Sequence, residues 1–304
     1  ITTLDQYRTA RRTGRGVILS RAKRDAVWPV FEEYRGQLAS RKLKEVDDAY
    51  REVADVLNAE AQSSKPVYSA IVADETQDLG PQALRLLRAL VPAGPNDLFF
   101  VGDGHQRIYS RNKAAMSRCG IDIRGRAKKL YLNYRTTDEI RRQAVALLEG
   151  CEIDDLDDGH DETKRYKSLS HGPAPVVLGV EGIEAAAKHA IEFVRRWSTA
   201  QGDGAPLSFC VIVSSEKTRD AMAGLMQAAG LRCIAITAQS NHSDARDVVH
   251  LATMHRAKGL EFDCVMVVAP KSYLSAPEET ETQRKLLYVA LTRAKRGALL
   301  LMLD

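Results

Sequence analysis

The sequence predicts an α/β protein built on parallel sheets, in two domains behind a helical amino-terminal region. Three observations lead there. Short apolar runs at 70–73, 98–101, 208–213 and 264–269 read as buried strands, and amphipathic stretches of ten or more residues separate the later ones. The run at 70–73 ends in adjacent carboxylates, Asp74 and Glu75, at the end of a strand where open α/β sheets hold their ligands. From Pro175 onward strand and helix patterns alternate regularly, as βαβ units require.

Residues 22–57 read as mostly helical. Val27, Trp28, Phe31, Tyr34 and Leu38, then Val46, Ala49, Tyr50, Val53 and Leu57, recur at three- and four-residue steps, and core packing is the expected role of that stripe. A polar break at 59–66 precedes VYSAIVADETQD. The adjacent acids suit nucleoside triphosphate hydrolysis, Asp74 holding Mg2+ and Glu75 activating water. Asp and Thr also start helices, so a strand followed by a capped helix is the plainer alternative, which the chemistry outranks.

A short helix at 82–90 is closed by Pro92, Gly94 and Pro95, and the strand at 97–102 runs into GDGHQRIY. Its glycines allow a tight turn beside a ligand, Gln106 can reach a phosphate or the lytic water, and Tyr109 offers a ring to a base. A third strand at 129–132 leads to NYRTT, where Thr136 or Thr137 caps the helix at 139–148 and Arg135 stands ready for an anion. The acidic stretch 152–162 reads as a solvated loop. Further strands are expected at 176–180, 208–213, 231–237, 248–253, 264–269 and 298–303, with helices at 183–197, 217–229 and 282–293.

Composition bounds the function. The chain of 304 residues is 44% hydrophobic, enough for two cores. No run approaches the roughly 18 apolar residues of a membrane span, and no signal peptide is visible, so no membrane partner is expected. Five cysteines without CxxC spacing suit a reducing cytoplasm and argue against zinc. The net charge is only +4, but Arg8, Arg11, Arg12, Arg15, Arg21, Lys23 and Arg24 crowd one end, and Arg118, Arg124, Arg126, Lys128 and Lys129 form a second cluster. Such runs suit a phosphate backbone, and they are also what a solvated basic face looks like.

Four clusters stand in one order: DETQD; GDGHQRIY; LNYRTT with TMHRAKGLEF; and LLYVALTRAK. Together they resemble motifs II to VI of superfamily-1A DNA helicases of the UvrD/Rep/PcrA type. The resemblance implies two RecA-like P-loop NTPase-type domains, the first incomplete: a helical subdomain and connection over 1–62, a partial first domain over 63–126 and a second over 127–304. It also implies an ATP-dependent 3'-to-5' motor on single-stranded DNA, or on DNA with a 3' single-stranded tail. By resemblance Asp74 holds Mg2+, with Glu75 as general base beside it, and Gln77 positions the phosphate end. Gln106 senses the γ-phosphate, Tyr134 stacks on adenine and Arg135 pairs with the γ-phosphate. Glu261 takes the ribose, Gly259 permits close backbone approach, and Arg293 is the arginine finger. Tyr109, Arg111, Thr253 and His255 fall to DNA, Arg111 standing where the family commonly has an aromatic.

The chain departs from the family in having no G-x-x-x-x-G-K-[ST] and no Gly-Lys dipeptide. The expectation is a carboxyl-terminal portion whose P-loop half lies upstream in the same protein, inactive in ATP hydrolysis by itself. The span from 141 to 248 is short for the extra subdomain that well-known members insert there, which is expected to be absent or vestigial. A non-catalytic nucleic-acid-binding or partner-docking module is the rival reading, and a nuclease centred on 154–161 is a weaker one.

Overall fold

A computed structural model of the chain describes residues 1, 3–10, 19–60, 68–108, 114–153, 156, 159, 166–200, 205–239 and 248–304. It divides into two compact units, Ile1–Ala127 with Asp154–Gly159, and Lys128–Ile153 with His160–Asp304. Both are mixed α/β with parallel strand pairing. No helix among the described residues is long and apolar enough to cross a membrane.

The first unit opens with helices α1 (Leu4–Thr9), α2 (Arg21–Ser40) and α3 (Val46–Glu60). Ser20 caps α2 by accepting from the Lys23 amide at 3.3 Å. The expected apolar stripe is only partly a core, with Leu38, Ala49, Tyr50 and Leu57 half-buried. Trp28 is buried against Tyr7 and Phe31, with ring centroids 5.7 and 6.3 Å away, but Val27, Phe31, Tyr34, Val46 and Val53 remain exposed. Helical periodicity marks an apolar face without specifying how much partner surface exists to cover it.

Strand β1 (Ile71–Ala73) pairs in parallel with β2 (Leu98–Phe100), and α4 (Pro81–Ala89) connects them. Pro81 stands in the first turn of α4, where its missing N–H costs nothing. Ile71, Leu98 and Phe100 turn inward, the last two packing with Leu84, Met116, Cys119 and Ile121. The strand was expected to be buried. Instead Val72 is 74% exposed and Phe99 62%, because helix α4 covers one face of a sheet that has two strands among the described residues.

The second unit holds a six-stranded parallel sheet in the order β5-β10-β9-β6-β8-β7. Its strands are β5 (Val176–Val180), β6 (Phe209–Val213), β7 (Cys233–Ala235), β8 (Val249–Thr253), β9 (Phe262–Pro270) and β10 (Ala294–Leu303). One face, including Val211, Val213, Leu251, Met266, Val268 and Leu301, packs on α6 (Gly182–Ala200) and α7 (Glu216–Ala228). The alternate residues Cys210, Ile212, Val265, Val267 and Leu300 are buried too, with α5 (Asp138–Leu147), α8 (Met254–Ala257) and α9 (Pro277–Leu291) on that side. Burial on both faces explains why these strands read as unbroken apolar runs. Apart from Lys167–Ser168, the described strands and helices of 141–248 belong to this sheet and its covering helices.

The expected third strand at 129–132 is displaced. Strand β3 comprises Leu132–Asn133 and pairs with β4 (Lys167–Ser168), outside the main sheet. Helix α9 starts five residues earlier than expected, with non-helical backbone at Thr280, and β10 starts at Ala294 rather than 298. Between Ala294 and Gly297 the β9–β10 register slips. Phe262 faces Ala294 and Cys264 faces Gly297, so Lys295 and Arg296 together oppose Asp263. This β-bulge interrupts the apolar alternation, and that concealed the strand's start in the sequence.

Candidate functional site

In the first unit the acid pair closes β1. Asp74 accepts from the Glu75 amide at 2.7 Å, and Glu75 adopts a left-handed backbone (φ 52°, ψ 37°) at the start of a 3-10 turn. A non-glycine residue rarely takes that conformation, and surrounding contacts must hold it. Two such contacts are in place. Thr76, 2% exposed, donates its amide and its hydroxyl to the Val101 carbonyl, each at 3.0 Å. Gln77, fully buried, donates through Nε2 to Glu75 Oε2 while its Oε1 accepts the Asp103 amide at 3.0 Å. A backbone N–H can only donate and an ionised carboxylate can only accept, so this pair of partners fixes the orientation of the Gln77 amide.

Gln77 therefore joins the acid pair to the loop after β2. Gly102 lies against it with no room for a side chain. An added Cβ would stand 2.5 Å from Thr76 Oγ1 and 2.9 Å from Gln77 Oε1. Beyond it, Asp103 accepts from the His105 amide at 2.9 Å, lies 3.0 Å from His105 Nδ1 and accepts from Gln106 Nε2 at 2.9 Å. Burial alone would raise the Asp103 carboxyl, but hydrogen bonds from His105 and Gln106 outweigh it and hold it below the usual range. Gln106 is thus engaged with Asp103 in this conformation. Tyr109 and Arg111, expected on a DNA path, lie outside the described residues.

In the second unit, Asn133 organises the loop after β3. Its Oδ1 accepts the Arg135 amide at 2.7 Å and the Thr136 amide at 3.3 Å, and its Nδ2 donates to Thr136 Oγ1 at 2.8 Å. Thr137 is the residue that caps α5, accepting from the Ile140 amide. The turn leaves Tyr134 74% exposed and brings Arg135 Nε to 3.2 Å from Glu261 Oε2. Lys295 Nζ meets the other oxygen, Glu261 Oε1, at 2.5 Å. That bond, with Arg135 and Arg293 nearby, keeps the Glu261 carboxyl below its ordinary range against some desolvation.

Arg293 does not stand free as an arginine finger. It is 2% exposed, and its guanidinium donates to the Val289 carbonyl at 3.0 Å, the Leu260 carbonyl at 3.4 Å and Thr292 Oγ1 at 3.2 Å. A cation on the last carbonyls of α9 stabilises that helix end, and contact with a phosphate would require leaving it. Gly259 has φ +81° and nothing within 4 Å of an added Cβ, so backbone conformation rather than crowding selects glycine there.

Thr253 and His255 lie at the carboxyl ends of the parallel strands and Glu261 at their amino ends. Thr253 closes β8 level with Val213 and Val268, whereas Glu261 immediately precedes β9. Counting from Val268 back to Phe262 puts the two ends about 20 Å apart along the strands. Met254 and Ala257, both buried, anchor the α8 crossover between them.

Sequence reasoning gave no role to Asp103 or Lys295, although both stand inside the quoted clusters. Their contacts arise from loop closure and from the bulge, which no spacing rule records. Among the described residues no group of three His, Cys, Asp or Glu could hold a metal by itself.

Comparison with known proteins gives two family matches. The family model of the UvrD/REP helicase N-terminal domain matches residues 9–119, and that of the UvrD-like helicase C-terminal domain matches residues 249–301. No curated protein matches the chain. Among solved structures, the C-terminal domain of a possible DNA helicase from Lactobacillus plantarum WCFS1 is similar at 20% identity with a TM-score of 0.42, covering 56% of this chain and 88% of that one.

Proposed function

We propose that the chain, which matches family models of the UvrD/REP helicase N-terminal domain and the UvrD-like helicase C-terminal domain, is the motor portion of an ATP-dependent 3'-to-5' helicase or translocase on single-stranded DNA. The reading includes two RecA-like domains and a P-loop supplied by an upstream half of the same protein, since none occurs in these 304 residues. The observation that carries it is the acid pair at the end of β1. Two exposed carboxylates follow a parallel strand, one of them in a left-handed backbone tied through Gln77 to the loop of the next strand. Structural acids need no such restraint.

Each residue then has a task. Two exposed carboxylates suit Mg2+, which keeps several waters and takes one or two protein oxygens beside its phosphates. When bound, the Mg·ATP complex supplies the phosphoryl group and the charge neutralisation that its transfer needs. Asp74 would hold the ion, and Glu75 would orient water and accept its proton. Gln106, released from Asp103, faces the γ-phosphate. Arg135, released from Glu261, stabilises its charge together with Arg293, both through planar, permanently charged forks. Tyr134 stacks on adenine, Glu261 and Gly259 border the ribose, and Tyr109, Arg111, Thr253 and His255 line the DNA strand.

One observation favours the alternative, a non-catalytic nucleic-acid-binding or partner-docking module: Arg293 is buried on main-chain carbonyls. DNA-stimulated ATP hydrolysis by the chain joined to its P-loop half separates the two. Glu75→Gln is expected to slow turnover about 10^2- to 10^4-fold with ATP binding kept, as for loss of a general base. Arg293→Ala should slow hydrolysis far more than it weakens binding. The chain alone should bind single-stranded DNA weakly and salt-sensitively, without turnover. Turnover unaffected by Glu75→Gln, or hydrolysis by the pure chain, would overturn the reading, and DNA binding with no hydrolysis in the joined protein would favour the alternative.

A further inference from the structure

In a regular strand, successive side chains point to opposite faces. Lys295 and Arg296 break that rule. Lys295 Nζ reaches Glu261 and Arg296 Nε lies 3.4 Å from Asp263 Oδ1, carboxylates two residues apart along the neighbouring chain. The bulge is the cause, since two residues of β10 oppose one of β9 there. It is also held firmly. The next residue, Gly297, lies so close to Trp197 that an added Cβ would be 2.3 Å from the ring, and the Phe262 amide donates to the Arg293 carbonyl at 2.9 Å just before it.

The bulge thus aims a lysine at a carboxylate that already has an arginine on its other oxygen. Arg135, Glu261 and Lys295 are all half-exposed, with side-chain exposures of 46, 44 and 39%. A lone carboxylate between two solvent-accessible cations occupies the position that an anion with more charge and more oxygens would take. Of the basic residues at this junction, Lys295 is accessible where Arg293 is buried.

We infer that Lys295 is a further phosphate-binding residue of the nucleotide site, forming with Arg135 a two-cation seat that Glu261 fills until a polyphosphate displaces it. This rests on the proposed function for its ligand class, and it adds a residue and a resting state to that site. Displacement turns Glu261 out of the seat, freeing it for the sugar hydroxyls, so one exchange loads the phosphates and presents the ribose ligand.

The test uses the chain as it stands, with inorganic tripolyphosphate as the probe, at low ionic strength, by titration calorimetry. Tripolyphosphate has no sugar or base, so it reports the cation seat alone. Lys188, exposed on α6, provides a control of equal charge change. Lys295→Met is expected to weaken binding about tenfold relative to Lys188→Met, the worth of one charge-assisted hydrogen bond at a half-exposed site. Lys295→Arg should restore most of it, and Glu261→Gln should tighten binding by removing the internal competitor. Equal losses in Lys295→Met and Lys188→Met, with Arg135→Met still strongly weakened, would overturn the inference and leave the nucleotide reading intact. No loss in any of the three would overturn both.

Discussion

Replacing Gly102 with alanine tests whether the acid pair is held by the loop after β2. The new methyl would stand 2.5 Å from Thr76 Oγ1, 2.9 Å from Gln77 Oε1 and 3.2 Å from Leu156 Cδ1. Neither oxygen is free to yield, because Thr76 Oγ1 donates to the Val101 carbonyl and Gln77 Oε1 accepts the Asp103 amide, with both residues buried. Overpacking together with one or two strained hydrogen bonds should cost about 2–4 kcal/mol. If the loop opens locally, the Thr76 and Asp103 amides should exchange with solvent about 30- to 1,000-fold faster, as 1.4 kcal/mol is tenfold. The Val267 and Val268 amides, in the other unit, serve as the control. Hydrogen exchange read by NMR or mass spectrometry decides it. Rates at Thr76 and Asp103 within about threefold of the parent would show that Gln77 and Thr76 do not form a rigid clamp. Adding Gln77→Ala removes one clashing atom and should make the pair of changes less than additive.

Further predictions concern charge and thiol chemistry. Asp97 is desolvated, yet the Gly94 and Leu98 amides and Arg88, at 3.1, 2.8 and 2.7 Å, lower its carboxyl to about 2. Relative to about 3.9 unfolded, this contributes about 2–3 kcal/mol above pH 4. The contribution is lost as pH falls through about 2, and urea unfolding of Asp97→Asn at neutral pH should show a deficit of that size. Burial pushes the Cys264 thiol up to about 12 and the Cys210 thiol upward as well. A maleimide at neutral pH should therefore label Cys151 and Cys233, which are partly exposed, well before Cys210 and Cys264, whose labelling should await unfolding. Peptide mass spectrometry against time reads the order.

The large sheet was legible because physics leaves few options for runs such as FCVIV and CVMVVA. A strand buried on both faces must be apolar throughout, and elsewhere in the same unit Thr137 marks the start of α5. The helical stripe through Val27, Phe31 and Tyr34 misled, since periodicity carries no information on whether a partner covers it. At the site, the positions of Asp74 and Glu75 after a strand could be read directly. The hold on them could not, because Gln77 and Asp103 are 26 residues apart and meet only once β2 lies beside β1. Lys295 was hidden for a different reason. A bulge adds one residue to a strand, and a period-two reading registers that as the end of the strand.

The crossover from Thr253 to Phe262 passes β6 and runs from the carboxyl ends of the strands back to their amino ends, through one turn of helix and a turn closed by the Leu260 amide on the Ala257 carbonyl at 3.1 Å. The segment therefore behaves as a short link whose course is set by its two turns and by the buried Met254 and Ala257. Losing or gaining one residue would drag His255 or Glu261 off its end of the sheet. Length variation should therefore be excluded here.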